Sequence, residues 1–528
     1  MKNRLLLSFV LVLLVAGSLT LVRNPAHAHS PALPAAPQPY AYFPFLFRFP
    51  AYNWLQFNFD SRHSGNNTLE GRLSPANVAT LTLLFQVTLP AVADGAPVYL
   101  SDVTTPTGVR DLVFVTTRDG RIIARDAHSG APVWLKQYGP AGCLINHNTS
   151  RNESCYTTSS PAIDPNLLFV YSYGLDGYVH KYAVGDGAEV LSGGWPELAS
   201  LKPYDEKGSA ALATATTPEG ASILYVANGG YPGDAGNYQG HITAINLADG
   251  SQKVFNTMCS QQAVHFVDSR TTAGPDCLPE VQSAVWARPG VVYSPDTGRI
   301  YLSTGNGAFN PASHLWGDTV FALHPDGSGQ PGGNPLDSYT PTNYQSLQNQ
   351  DLDIGSTAPA ILPPTAGKVP HLAVQSGKDA VIRLLNLDLL SGQAGTGHTG
   401  GEVFSMPVPM GGEVLTQPAV WQNPQDGSIW VFIANGNGLA GLQLSLDGAG
   451  TPSLVSRWTK GSGASPILAN GVLFYARGGL IVALNPLNGS QLWSDNRTGS
   501  IHWESPIVAN GVLYLTDGNS HLTAYALP

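Results

Sequence analysis

The chain is 528 residues long, with a formal net charge of −10 and only 12% Asp, Glu, Lys and Arg, about half the charged share of an ordinary soluble domain. With 43% apolar residues it is too hydrophobic to stay disordered, and its acidity excludes a basic nucleic-acid groove. Its 58 glycines and 41 prolines oppose long helices and favour many short strands joined by turns.

Lys2 and Arg4 precede an apolar run from Leu5 to about Val22, and Ala26-His27-Ala28 follows. This is the order of a secretory signal, residues 1–28, with cleavage after Ala28. The alternative is an uncleaved anchor, since the run approaches the ~18 residues that span a bilayer. Ser18 stands where a lipid-modified Cys would have to be, after Leu14-Val15-Ala16-Gly17. No later segment is apolar enough to span a membrane, so the chain reads as secreted, periplasmic or cell-surface. Residues 29–50 form a Pro-rich tether and residues 51–528 a single domain.

Export makes the four cysteines disulfide candidates. Cys143 and Cys155 bracket one polar insertion, and Cys259 and Cys277 bracket another. Neither pair has the spacing of a zinc or redox site. With no C-x-x-C-H anywhere, covalent haem is excluded. Structural disulfides between near neighbours are the expectation.

From there one pattern returns along the whole chain. Its clearest copy is Ser465-Pro466-Ile467-Leu468-Ala469-Asn470-Gly471-Val472-Leu473-Phe474-Tyr475, then Leu480 to Leu484, then Asn488-Gly489 and Trp493. The next copy opens at Ser505-Pro506 and turns at Asn510-Gly511. Asn-Gly between apolar runs is the strongest short-range hairpin signal, so each unit is a four-stranded antiparallel meander. Eight units follow, with third strands at Arg121–Asp126, Tyr178–Tyr182, His241–Asn246, Thr319–His324, Ala380–Asn386, Ala440–Leu444, Leu480–Asn485 and His521–Tyr525. The third unit matches worst and opens around Ser209-Ala210. Isolated meanders cannot bury their faces, and repeated ones stack radially. The last unit ends after its third strand; Leu81 to Gln86 near the N-terminus supplies the fourth and closes the ring. The prediction is an all-β, eight-bladed propeller.

Two repeat segments carry a family resemblance: Ala124-Arg125-Asp126-Ala127-His128-Ser129-Gly130-Ala131-Pro132-Val133-Trp134 and Ala483-Leu484-Asn485-Pro486-Leu487-Asn488-Gly489-Ser490-Gln491-Leu492-Trp493. They resemble the tryptophan-docking motif of the pyrroloquinoline-quinone (PQQ) propeller superfamily. There the Trp packs between neighbouring blades and the Gly makes the tight turn. Trp54-Leu55-Gln56-Phe57-Asn58-Phe59-Asp60 resembles the leading segment of those proteins. The likeness is specific for fold and less so for function, because the superfamily holds both quinoprotein dehydrogenases and propellers that bind protein partners without a cofactor.

Three further segments are similar to the dehydrogenase site. Ser303-Thr304-Gly305-Asn306-Gly307 resembles the segment whose Asn coordinates calcium, Asp351-Leu352-Asp353-Ile354-Gly355 the one whose second Asp takes the alcohol proton, and Gly377-Lys378-Asp379 the one whose cation contacts the quinone. The resemblance implies PQQ and Ca²⁺ as cofactors. Asp353 becomes the catalytic base and a metal ligand, Asn306 a metal ligand, Lys378 a quinone contact and Trp286 the candidate for stacking on the ring. Hard oxygen donors suit Ca²⁺, and a carboxylate suits proton removal. The departures are equally definite. No two cysteines are adjacent, Leu352 replaces an aromatic residue, and the acidic third ligand falls on Ala235 unless the register shifts by one onto Asp234. Each residue also has a plain structural role open to it: Asn306 a positive-φ turn, Asp353 a backbone cap, Lys378 a solvated turn. His502-Trp503-Glu504 opens the last blade and should face the axis, as an acid or base beside an aromatic platform or as ordinary packing. No G-x-S-x-G elbow or phosphate loop competes. The sequence therefore predicts oxidation of an alcohol or sugar with a separate electron acceptor, or alternatively a non-catalytic extracellular propeller that binds a protein or glycan.

Overall fold

The computed structural model describes residues 50–138, 143–146 and 153–528. The signal segment and all of the tether but Pro50 lie outside the described residues. Residues 50–528 belong to one compact unit, an eight-bladed β-propeller of small antiparallel sheets. Seven blades are sequence-continuous. The eighth is Ile507–Ala509, Val512–Thr516 and His521–Ala526, completed by Thr82–Thr88 from the other end of the domain. That closing strand runs antiparallel to His521–Ala526, pairing Thr82 with Ala526 and Thr88 with His521. The ring has no open edge at its seam.

The expected third strands are observed within a residue or two, for example Arg121–Asp126, His241–Asn246 and Leu480–Leu484. Asn470 and Gly471 both have positive φ, 45° and 74°, the two-residue turn that matches strand twist. Blade three departs from the repeat. Its first strand is split into Glu206–Gly208 and Ala213–Thr216, both pairing with Ser222–Gly230, and residues 209–212 bulge between them. The bulge hid the strand start from the sequence. Both expected disulfides form, Cys143–Cys155 and Cys259–Cys277.

Between blades, aromatic rings dock as the repeat implies. Trp134 donates Nε1–H to the Val184 carbonyl of the next blade at 2.9 Å, Trp458 to Pro486 at 2.9 Å and Trp493 to Leu81 at 3.1 Å. A Cβ at Gly187 would sit 2.7 Å from the Trp134 ring, and one at Gly489 2.7 Å from Trp458. Glycine is there because the ring of the preceding blade occupies the space a side chain would need.

Under the ring runs a strap, residues 54–67. Its backbone or side chains bond the innermost strands of seven blades in turn: Trp54 with Tyr99, the Leu55 carbonyl with Ile163, Gln56 with Thr214, Ser61 with Tyr293, Ser64 with Val420, Gly65 with Leu468 and Asn67 with Val508. Trp54 and Phe57 are fully buried. The strap closes one end of the axis. The single α-helix among the described residues, Tyr344–Gln350, is seven residues long, and no described helix is long and apolar enough to cross a membrane.

Candidate functional site

The open end of the axis holds a cavity of about 340 Å³, at the small end of the ~300–1,000 Å³ range of ligand pockets. Its walls come from residues that precede innermost strands (Thr158, Ser209, Trp286, Arg288, Asp353, Trp503) and from turns after second strands (Asn306, Lys378). Propeller geometry brings both sets to the same face. The cavity gathers all five residues singled out from the sequence: Asp353, Asn306, Lys378, Trp286 and Asp234.

Asp353 is 3% exposed. Its Oδ2 accepts Trp286 Nε1–H at 3.2 Å, and its Oδ1 lies 3.6 Å from Lys378 Nζ with no hydrogen-bond partner. Gly305 permits this placement, since a Cβ there would stand 2.6 Å from Oδ2. Burial pushes the Asp353 carboxyl up to about 7, although Lys378 and the Trp286 hydrogen bond pull the other way. Behind it Asp318, 1% exposed, is pushed up to about 8 by burial and by the Asp353 charge. No motif in the sequence singles out Asp318; only the fold sets it against Asp353.

The plain structural roles do not describe these side chains. Asn306 is not a positive-φ residue; the left-handed one is Asp351, φ 53°. Asn306 Nδ2–H donates to Asp351 Oδ1 at 2.7 Å, which leaves its buried Oδ1 without a donor. Lys378 is not a solvated turn residue, because its Nζ–H donates to Asp351 Oδ1 at 2.6 Å and its side chain is 15% exposed. Asp234, rather than Ala235, lines the cavity, where it accepts the Tyr238 hydroxyl hydrogen at 2.6 Å. Trp286 stands as a wall between Lys378 (Nζ 5.3 Å from the ring centre) and Trp503 (ring centres 6.4 Å apart).

Cations and a second acid pair form the other half. Arg288, 3% exposed, reaches the carbonyls of Asp94, Thr158 and Ser209 from three blades, and its guanidinium carbon sits 5.8 Å from the Phe57 ring of the strap. It seals the floor. His502 Nδ1 lies 3.0 Å from both Asp94 carboxylate oxygens. Glu504, fully buried, is pushed up to about 7 by burial and the Asp94 charge. Sequence patterning marked His502-Trp503-Glu504 as axial; Asp94, Lys207 and Arg288 lack any local motif.

A resident cation would find a mixed donor set here. Among the described residues no three Asp, Glu, His or Cys side chains group to hold a metal. The buried, partnerless Oδ1 atoms of Asn306 and Asp353 do suit a hard cation, with Asp234 the acid nearest in role. A planar polyanion would meet Trp286 and Trp503 and the cations Arg288, Lys207 and Lys378. The residues fit PQQ and Ca²⁺ in chemical type.

Comparison with known proteins agrees with the architecture. A family profile described as "Outer membrane protein assembly factor BamB" matches residues 419–527. A quinohemoprotein alcohol dehydrogenase, ADHIIG from Pseudomonas putida HK5, superposes with a TM-score of 0.61 at 14% identity over 90% of this chain and 80% of that one. A europium-containing methanol dehydrogenase gives 0.63 at 14% over 90% and 98%. The quinohemoprotein alcohol dehydrogenase of Comamonas testosteroni gives 0.61 at 16% over 90% and 80%. No curated protein matches the sequence. The chain thus has the propeller fold of those dehydrogenases, and its last blades match the assembly-factor profile. At these identities the likeness is one of fold.

Proposed function

We propose that this is an exported PQQ- and Ca²⁺-dependent dehydrogenase that oxidises an alcohol or sugar and passes electrons to a separate acceptor. The observation that carries the reading is that Asp353 and Asn306 line one axial cavity, each with a buried Oδ1 that accepts no hydrogen bond. Bound, the quinone would supply the two-electron acceptor that no side chain can provide. The chain's own residues then do the rest. Asp353 takes the hydroxyl proton, with an affinity near 7 that suits a base at neutral pH. Trp286 and Lys378 fix its orientation, and Asn306 and Asp234 supply further oxygen donors to the cation. The signal-like N-terminus and two disulfides support export.

A second reading, a scaffold that binds a protein or glycan, is favoured by the match of the last blades to the assembly-factor family. Thermal melting of the mature protein with PQQ plus CaCl₂ separates the two. At ~100 times the dissociation constant a ligand adds about 2.7 kcal/mol and shifts the melt visibly. The expected shift needs both components and disappears in Asp353→Ala. A folded, cofactor-free protein whose melt ignores both components belongs to the scaffold reading.

A further inference from the structure

Two buried lysines lie five residues apart at the entry to blade three and meet opposite fates. Lys202 is fully buried and paired, its Nζ 3.3 Å from Glu206 and donating to Gln239 Oε1 at 2.5 Å. Lys207 is 6% exposed, lines the axial cavity, and has no hydrogen bond or carboxylate partner among the described residues. Its Nζ lies 4.6 Å from the Tyr156 ring centre, with the Arg118 guanidinium 4.4 Å from the same ring. Burying an ammonium without a counter-ion is costly, so the site is incomplete as it stands.

The groups that face Lys207 define what would complete it. Arg118 comes from blade one, Tyr156 from the approach to blade two, and Arg288 from blade four. The one acid whose charge reaches it is Asp94. That carboxylate is already held by His502 Nδ1 and the Trp503 amide, and Glu504 stands beside it with burial raising its own proton affinity. Glu206 on the same strand is taken by Lys202 and Ser200. Thr158 and Ser209 line the same stretch of wall. Lys207, Arg288 and two hydroxyl residues thus line the cavity together, with Arg118 over the same Tyr156 ring, and no acid among the described residues bonds Lys207.

We infer that this wall is a carboxylate-binding site in which an acidic ligand supplies Lys207 with its counter-ion. The inference rests on the dehydrogenase reading only for one of its two sources, the carboxylates of the cofactor; the other is an acidic substrate. Without ligand, burial and the neighbouring Arg288 and Arg118 charges, opposed by Asp94, hold the Lys207 amine down at about 7. At pH 8 it is therefore mostly neutral, and an arriving carboxylate draws a proton onto it.

Titration calorimetry at pH 8.0 in HEPES and in Tris, buffers of different ionisation enthalpy, reads that proton directly. The probes are PQQ with CaCl₂ and, separately, succinate. The expected result is uptake of about one proton per bound ligand, with at least ~10-fold weaker binding and no uptake in Lys207→Met. Lys207→Arg, charged at every pH, should bind without uptake. Ligand-free Lys207→Met should melt no lower than wild type, because it removes an amine that lacks a partner. Binding of PQQ with no proton uptake would overturn the carboxylate site and leave the dehydrogenase reading standing. Succinate binding with uptake, while PQQ fails to bind, keeps the site and removes the cofactor as its source. Failure of both probes to bind overturns the site.

Discussion

Three buried acids dominate the pH behaviour of the ligand-free protein, opposed by His265, which burial holds down at about 3. Asp353 and Glu504 titrate near 7 and Asp318 near 8, far above unfolded carboxyls at ~4. A raised affinity stabilises the fold below the unfolded value and is lost as pH climbs to the folded one. In EDTA the melting temperature should therefore fall as pH rises from about 4 to 8. Asp353→Asn should flatten the fall, and CaCl₂ should oppose it if Asn306 and Asp353 hold a cation. Below pH 4 the slope reverses. There Asp268, lowered to about 2 by its Arg270 hydrogen bonds, loses its contribution, as does Asp111, lowered to about 2 by His128 and the Asp102 amide against the cost of burial. A melt that rises steadily from pH 4 to 8 would contradict the burial of these groups. At this scale the sequence was only partly legible. Asp353, Asn306 and Lys378 stood in local motifs, whereas Asp318, Lys207 and Arg288 owe their character to neighbours from other loops and blades that no local motif reports.

Blades were the most legible level, because each is specified locally. An Asn-Gly turn, alternating apolar runs and a terminal Trp carry their meaning within about 45 residues. Trp134 shows how one blade is joined to the next: its ring lies against Gly187 and its Nε1–H bonds Val184. Trp134→Ala should destabilise the protein by ~3–5 kcal/mol, whereas Trp134→Phe, which keeps the ring and loses the donor, should cost about 1 kcal/mol. Chemical denaturation measures both. Equal costs would mean that the hydrogen bond, rather than ring packing, joins the blades. Blade three broke the pattern because its first strand bulges, and the periodicity that located the others is interrupted there.

The whole ring depends on contacts that no local pattern reports. The closing strand Thr82–Thr88 pairs with His521–Ala526 more than 400 positions away, yet it was foreseeable, since a blade that ends one strand short must borrow one. The strap was not. Its residues bond seven blades through backbone groups and single side chains such as Gln56 and Asn67, which leave no periodic trace. Truncation after Asp517 removes the last strand and leaves Thr82–Thr88 unpaired, with Leu83 and Leu84 on an exposed edge. The expected outcome is loss of a single cooperative melt and self-association by light scattering. A truncated chain that remains monomeric with an unchanged transition would show that closure is dispensable.

The floor made by Phe57 and Arg288 has a kinetic meaning as well as a structural one. A vessel with one mouth enforces a queue. Whatever lies deeper in the cavity must arrive before anything seated nearer its mouth, and cannot leave until the later arrival has gone. Turnover at such a site is ordered by shape alone: the deeper occupant stays through many cycles and behaves as a fixture, while only the outer guest is exchanged with the surroundings.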